Sequence, residues 1–297
     1  MIEILPQLLV NALISGSLYA LMSAGLSLTY GLLKILNFAH GHMMMFGAYL
    51  LYFFLVSQEY PFWIAIFCTL VVVTGFSMLV FNLFVRPFSK YELILTLVTT
   101  IALSHILEAI VSMWFGVNVK SYPSTFGFDS YEYYGIFITK TQIIIICSAL
   151  FFLSLIAYVI QSTSYGRIIR ALSENPYSAQ SLGISRKNIT YTVFTIGIIL
   201  AAYSGIMLGF ETNLSPTMGS SFTIKCFAAM VLGGLGNLWG TVIGSYLLGL
   251  FENLVVGLEF GEFSIPAGYK DAVSFVIILV VLLVFPKGIF NRSSRSI

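Results

Sequence analysis

Apolar stretches recur along almost the whole chain, separated by short polar breaks. They cover residues 5–33, 42–57, 62–85, 93–114, 141–160, 190–210, 223–256 and 272–285. A hydrocarbon core about 30 Å thick needs roughly 20 apolar residues per helix. The pattern therefore predicts an all-α, polytopic transmembrane helical bundle of about eight spans, with a ninth if 223–256 crosses twice. That stretch is too long for one crossing, yet both of its flanks read as lying on one side. It is expected to cross twice, or to enter and return, bending at the glycine cluster VLGGLGNLWG (231–240). Composition agrees: 9% of the 297 residues are charged, against roughly a quarter in a soluble domain, too few to cover a surface facing water.

Charge between the segments sets the expected sidedness. Arg86 and Lys90, the group Arg167, Arg170, Glu174, Arg186 and Lys187, and the terminal Lys287, Arg292 and Arg295 read as cytoplasmic under the positive-inside rule. Lys120, Asp129 and Glu132, then Glu211, then Glu259 and Glu262 alternate with them as external. With one crossing by 5–33, the N-terminus is external. Its start, MIEILPQ, lacks the basic region and cleavage site of a secretory signal, so the first span is expected to be retained. Cys68, Cys147 and Cys226 sit inside apolar segments without metal or disulfide spacing and read as packing residues. Tyr60, Trp63, Trp114 and Tyr122 suit the membrane interface.

Two glycine-interrupted strings share an outline. NFAHGHMMMFGAYLL (37–51) and NLWGTVIGSYLL (237–248) both run Asn, Gly, then Gly-(Ala/Ser)-Tyr-Leu-Leu. Chance similarity of apolar strings and an internal duplication are both open; a duplication would matter because paired broken segments flank the substrate path in transporters. The longest basic interval, SYGRIIRALSENPYSAQSLGISRKNIT (164–190), is too polar to insert. Pro176 suits a first helical turn, with Ser173 or Asn175 as N-cap and Gly183 as the stop. The interval reads either as a solvated loop or as a short amphipathic helix that docks a partner protein.

ENPYSAQSLG, carrying Glu174, Ala179 and Gly183, resembles the Glu-Ala-Gly loop of ATP-binding-cassette importer permeases, which inserts into a groove of the ATPase. With GLSLTYGLLKILNFAHG (25–41), FAAMVLGGLGNLWGTVIGSYLLGLFEN (227–253) and FPKGIF (285–290), the chain is similar over nearly its full length to the H-type permease of branched-chain amino acid uptake systems. Residues 121–140 carry no signature of that family. The resemblance implies one permease domain over 1–297 in a bacterial inner membrane, with 164–190 as its cytoplasmic coupling loop. It implies coupling to the ATPase through Arg167, Arg170, Ser173, Glu174, Asn175, Ala179 and Gly183. It also implies a second, M-type permease, two cytoplasmic ATPases and a periplasmic binding protein as partners, with leucine, isoleucine or valine as substrate; urea and short amides stay open.

No GxxxxGK(S/T) occurs, so ATP use is expected in the partner subunits, with no cofactor on this chain and no nucleic-acid partner. Ionisable groups at membrane depth cost several kcal/mol unless paired or wet. This makes Glu108 and Glu252 candidates for the translocation pathway, together with the Asn37, His40, Gly41, His42 break and the Gly233, Gly234, Gly236, Asn237 cluster. Plainer roles stand beside these: Glu108 pairing with His105 one turn away, Glu252 snorkelling near the external surface, and the glycines serving close helix packing. One HxH and one HxxE are too sparse for a metal site. A secondary carrier or channel using Glu108 or Glu252, and a membrane enzyme using His40, His42 and His105, are the competing classes.

Overall fold

The computed structural model describes residues 4–88, 93–123, 130–133, 135–257, 266–285 and 288–290. Of the charges assigned a side above, Lys90, Asp129, Glu259, Glu262, Lys287, Arg292 and Arg295 lie outside the described residues. The helices are α1 (Leu5–Leu33), α2 (His40–Tyr52), α3 (Phe62–Val80), α4 (Leu93–Phe115), α5 (Lys140–Ser162), α6 (Ser164–Glu174), α7 (Pro176–Ser181), α8 (Arg186–Glu211), α9 (Met218–Gly233), α10 (Leu238–Gly257) and α11 (Lys270–Val284). α2 and α3 each end in a wider π turn, Phe53–Ser57 and Phe81–Val85. Among the described residues, six helices are long and apolar enough to cross a bilayer, with α9 a shorter apolar helix. The protein is a helical, polytopic membrane protein.

The 223–256 stretch is broken, as its length demands, between Gly233 and Leu238, and α9 and α10 fold back on each other. α1, α2, α8, α9 and α10 form the buried centre, whereas α3, α4, α5 and α11 turn apolar side chains such as Phe67, Ile94, Phe151 and Leu283 outward, as lipid-facing helices must. Without a hydrophobic drive between helices in lipid, association depends on close backbone approach at small residues. α1 crosses α8 at Gly25 and Gly197: a Cβ on Gly25 would lie 2.5 Å from the Gly197 carbonyl oxygen.

One departure from an all-helical chain lies in the interval that carried no signature. Ser130–Tyr133 (β1) and Ile136–Thr139 (β2) form an antiparallel hairpin, with Gly135 at φ +76° in the turn. Alternating Tyr, Ile and Phe favour extended backbone there. Gln7 grips the hairpin through both its amide atoms, donating to the Phe137 carbonyl at 3.1 Å and accepting from the Phe137 N–H at 2.8 Å. Thr139 then caps α5 in a reciprocal capping box with Gln142, whose side chain donates to Glu211 at 2.9 Å. The starts of α1 and α5 and the end of α8 therefore share one face. At the opposite face Arg86, Arg186 and Lys187 converge.

Replacing Gly25 with Ala should destabilise the solubilised protein by about 1–3 kcal/mol through overpacking. Beyond its own stretch of helix, Gly75 of α3 has no atom within 4 Å of the place a Cβ would take, so Gly75→Ala should be neutral or stabilising by up to about 1 kcal/mol. Thermal unfolding in detergent reads both signs.

Candidate functional site

The basic interval forms two short helices between α5 and α8. α6 is strongly amphipathic: Leu172 is buried, with Tyr165, Ile168 and Ile169 packed beside it, in a cluster with Leu32 of α1 and Ile189 and Val193 of α8. Arg167 and Arg170 stay exposed; Arg167 donates to Ser164 at 2.7 Å and Arg170 to the Ile160 carbonyl. Ser173 donates back to the Arg170 carbonyl at 2.8 Å. Asn175 then breaks the helix and caps the next one, its side-chain oxygen accepting from the N–H groups of Tyr177 and Ser178, both at 3.1 Å, ahead of Pro176 at the first helical position. Ala179 is 3% exposed, rooting α7 in the same cluster. Gly183, at φ +82°, ends the segment in a conformation that disfavours any Cβ. Glu174 is exposed, and Tyr177 and Leu182 project at 83% and 82% exposure. Two large apolar side chains thus stand off a rooted helix.

The second cluster lies deep in the bundle. After α1, Lys34 adopts the left-handed conformation and the chain turns back, so that α2 begins level with the middle of α1: a His40 ring nitrogen lies 2.9 Å from the Met22 carbonyl. Met22 is eleven residues before Leu33, about 16 Å along the helix. Asn37 closes the turn, accepting from the Ala39 N–H at 3.1 Å, while its amide nitrogen is buried without a partner among the described residues. Gly41 lets α2 touch α9; a Cβ there would lie 2.4 Å from both the Gly219 carbonyl and the Thr223 hydroxyl. His42 faces Glu108 at 3.7 Å and Ser220 at 3.4 Å. Glu108 also lies 4.0 Å from His105, whose side chain is 73% exposed. His105 sits ten residues from the Phe115 end of α4, about 15 Å into the span.

The α9–α10 break is built in the same way. Gly234 and Gly236 take φ +98° and +79°, Gly233 lies against Gly240, and the Asn237 side chain accepts from the Gly240 N–H at 3.2 Å while donating to the Phe290 carbonyl at 2.8 Å. Asn37 and Asn237, the first residues of the two similar strings, each close the turn that starts a broken apolar helix. Glu252 lies in the core and does not snorkel. It is fully buried, accepts from Tyr19 at 2.7 Å and from Ser274, and lies 3.5 Å from Lys225.

The family model described as "Branched-chain amino acid transport system / permease component" matches residues 8–282. The chain belongs to this family. The permease is 29% identical to the high-affinity branched-chain amino acid transport system permease protein LivH of Salmonella typhimurium, over 96% of this chain and 95% of that protein. It is 30% identical to BraD of Pseudomonas aeruginosa, described in the same words, over the same shares. A shorter match, 30% over 43% of this chain, links it to the autoinducer 2 import system permease protein LsrC of Yersinia enterocolitica. Among solved structures, PsaBC from Streptococcus pneumoniae in complex with Fab superposes with a TM-score of 0.52 at 13% identity, covering 93% of this chain and 91% of that one; this likeness concerns the fold alone.

One ionisable group of the permease escaped sequence reasoning. Lys225, two turns into α9, is only 8% exposed at its side chain and lies 3.0 Å from Asp271 as well as 3.5 Å from Glu252. Its ammonium also donates to Tyr19 at 3.2 Å, joining α1, α9, α10 and α11. The signal was present as the lone lysine in FTIKCFAAMVLGG, a charge at membrane depth that requires a partner. Lys225→Met leaves Glu252 buried with its charge uncompensated and should cost about 3–5 kcal/mol. Adding Glu252→Met to it should recover most of that loss, as read from the thermal midpoint of the solubilised protein.

Proposed function

We infer that this chain is an inner-membrane permease subunit of an ATP-binding-cassette importer for branched-chain amino acids, working beside a second, M-type permease, two cytoplasmic ATPases and a periplasmic binding protein. ATP is bound and hydrolysed by the ATPases; this chain contributes the passage and the lever. The observation that carries the reading is the α6–α7 elbow. It joins two long spans, is rooted by Leu172 and Ala179 against α1 and α8, and leaves Tyr177 and Leu182 exposed, on the side that the positive-inside rule assigns to the cytoplasm. Exposed aromatic anchors on a rigid base are what a protein groove takes up. When the ATPase dimer closes, its groove carries α7 along and α6 transmits the tilt to α5 and α8.

The passage follows the face of α4 that bears His105 and Glu108. Ionisable side chains within spans, histidine included, face a bundle interior or a water-filled cavity and not lipid. His105 is exposed there, so that face meets water or the second permease. His42, at the start of a broken helix, faces the same side through Glu108. Few charged groups line this route, which suits a path whose selectivity resides in the binding protein. The buried partners of Glu252 favour a fixed strut over an ion-coupling carboxylate.

Gly183→Asp and Glu174→Arg should abolish co-purification with the ATPases while membrane insertion persists; retained co-purification removes the elbow from the mechanism. In vesicles holding the whole assembly, ATP should drive leucine uptake in preference to urea. The pair Glu108→Gln and Glu252→Gln should leave uptake independent of any ion gradient. Uptake driven by an ion gradient without ATP contradicts the reading.

A further inference from the structure

A cavity of about 470 Å³ opens at the cytoplasmic face between the ends of α1 and α3, the helix α7 and the start of α8. Leu33 and Phe81 form its apolar wall; Arg86, Arg186, Lys187, Gln180 and Thr190 supply the polar lining, with no acidic side chain among the described residues. The Thr190 hydroxyl is buried, at 4% exposure for the residue, and has no hydrogen-bond partner among the described residues. A threonine inside a helix can bond the carbonyl four residues back; this hydroxyl does not, which leaves it available to a ligand. The cavity also meets the start of α8, a helix of 26 residues whose N-cap, Ser185, makes no side-chain cap hydrogen bond. The N–H groups of that first turn have no intrahelical acceptor and carry the positive end of the helix dipole. Among the described residues neither Arg186 nor Lys187 makes a salt bridge or side-chain hydrogen bond.

A cationic cavity with a buried unpartnered hydroxyl and a helix N-terminus suits a phosphate group: its oxygens accept from hydroxyl, N–H and guanidinium donors together. We propose that this cavity binds a phosphate group against Thr190, Arg186 and Lys187, drawn from the headgroup of an anionic phospholipid or from free phosphate. The site lies where basic pockets between spans meet the negatively charged cytoplasmic leaflet, and its apolar wall of Leu33 and Phe81 accommodates the glycerol end of a lipid. Because Gln180 belongs to α7 and Arg186 to α8, an occupant would tie the elbow to the bundle. The binding itself does not depend on the importer reading.

The test uses the full transporter with its ATPases. It is purified from vesicles of phosphatidylcholine alone or with phosphatidylglycerol, and retained lipid is counted by native mass spectrometry. The lipid source predicts phosphatidylglycerol retained over phosphatidylcholine, reduced at least about tenfold by Arg186→Gln with Lys187→Gln and several-fold by Thr190→Val. Lys120→Gln, at the opposite face, should leave retention unchanged. The free-phosphate source predicts no lipid preference but a rise in thermal midpoint with millimolar inorganic phosphate, lost in the same variants. The proposal is overturned if the variants match the parent in both lipid retention and phosphate response. It is overturned equally if the double variant loses only its ATPases, which would make the cavity part of a protein interface.

Discussion

A chain that spans lipid has no water to satisfy its backbone, so every interruption of a helix at membrane depth must be closed by groups of the protein itself. That constraint organises this structure. The chain is interrupted deep in the bundle before α2 and turns back before α10, beside α6 and the end of α1; both bends are closed by an asparagine side chain, Asn37 on the Ala39 N–H and Asn237 on the Gly240 N–H. The first is enclosed by the most buried helices, and glycine contacts seal both, Gly41 on Gly219 and Gly233 on Gly240. The half-helix α2 so formed brings His40 and His42 to a depth where a continuous span would present only hydrocarbon.

The α2 break and the surface elbow are joined by packed elements. α6 and α7 rest on a patch made by Leu32, Ile189 and Val193, and α8 rises from that patch to cross α1 at Gly25 and α2 at Gly47 and Gly205. Closely packed elements therefore connect α7 to α2, at whose start His42 faces Glu108. The Lys225, Glu252 and Asp271 cluster ties α9, α10 and α11 together, bracing the bundle away from the elbow.

Much of this was legible in the sequence because it is local. Apolar length marked the spans, and the stretch 223–256 was too long to be one of them. Asn175, Pro176 and Gly183 bracketed α7 because cap, first-turn proline and left-handed stop are all encoded within one short segment. The rest was not local. Lys225 sits in a segment whose average hydropathy hides a single charge, and its partner Tyr19 lies 206 positions away. Glu252 read as interfacial from its place near a segment end, whereas the docking of α11 buries it. The docking of the β1–β2 hairpin on α1 follows from Gln7 reaching across to Phe137, a contact that no window of neighbouring residues contains.

The central claim is that work done outside the lipid enters this chain through α7. Its most direct test is the reaction of a single cysteine, Tyr177→Cys in a chain whose Cys68, Cys147 and Cys226 are replaced by alanine, with a membrane-impermeant maleimide. The account predicts labelling in inverted vesicles stripped of ATPases, protection when the ATPases are restored, and no labelling from outside intact cells. Labelling from outside, or labelling indifferent to the ATPases, would contradict it.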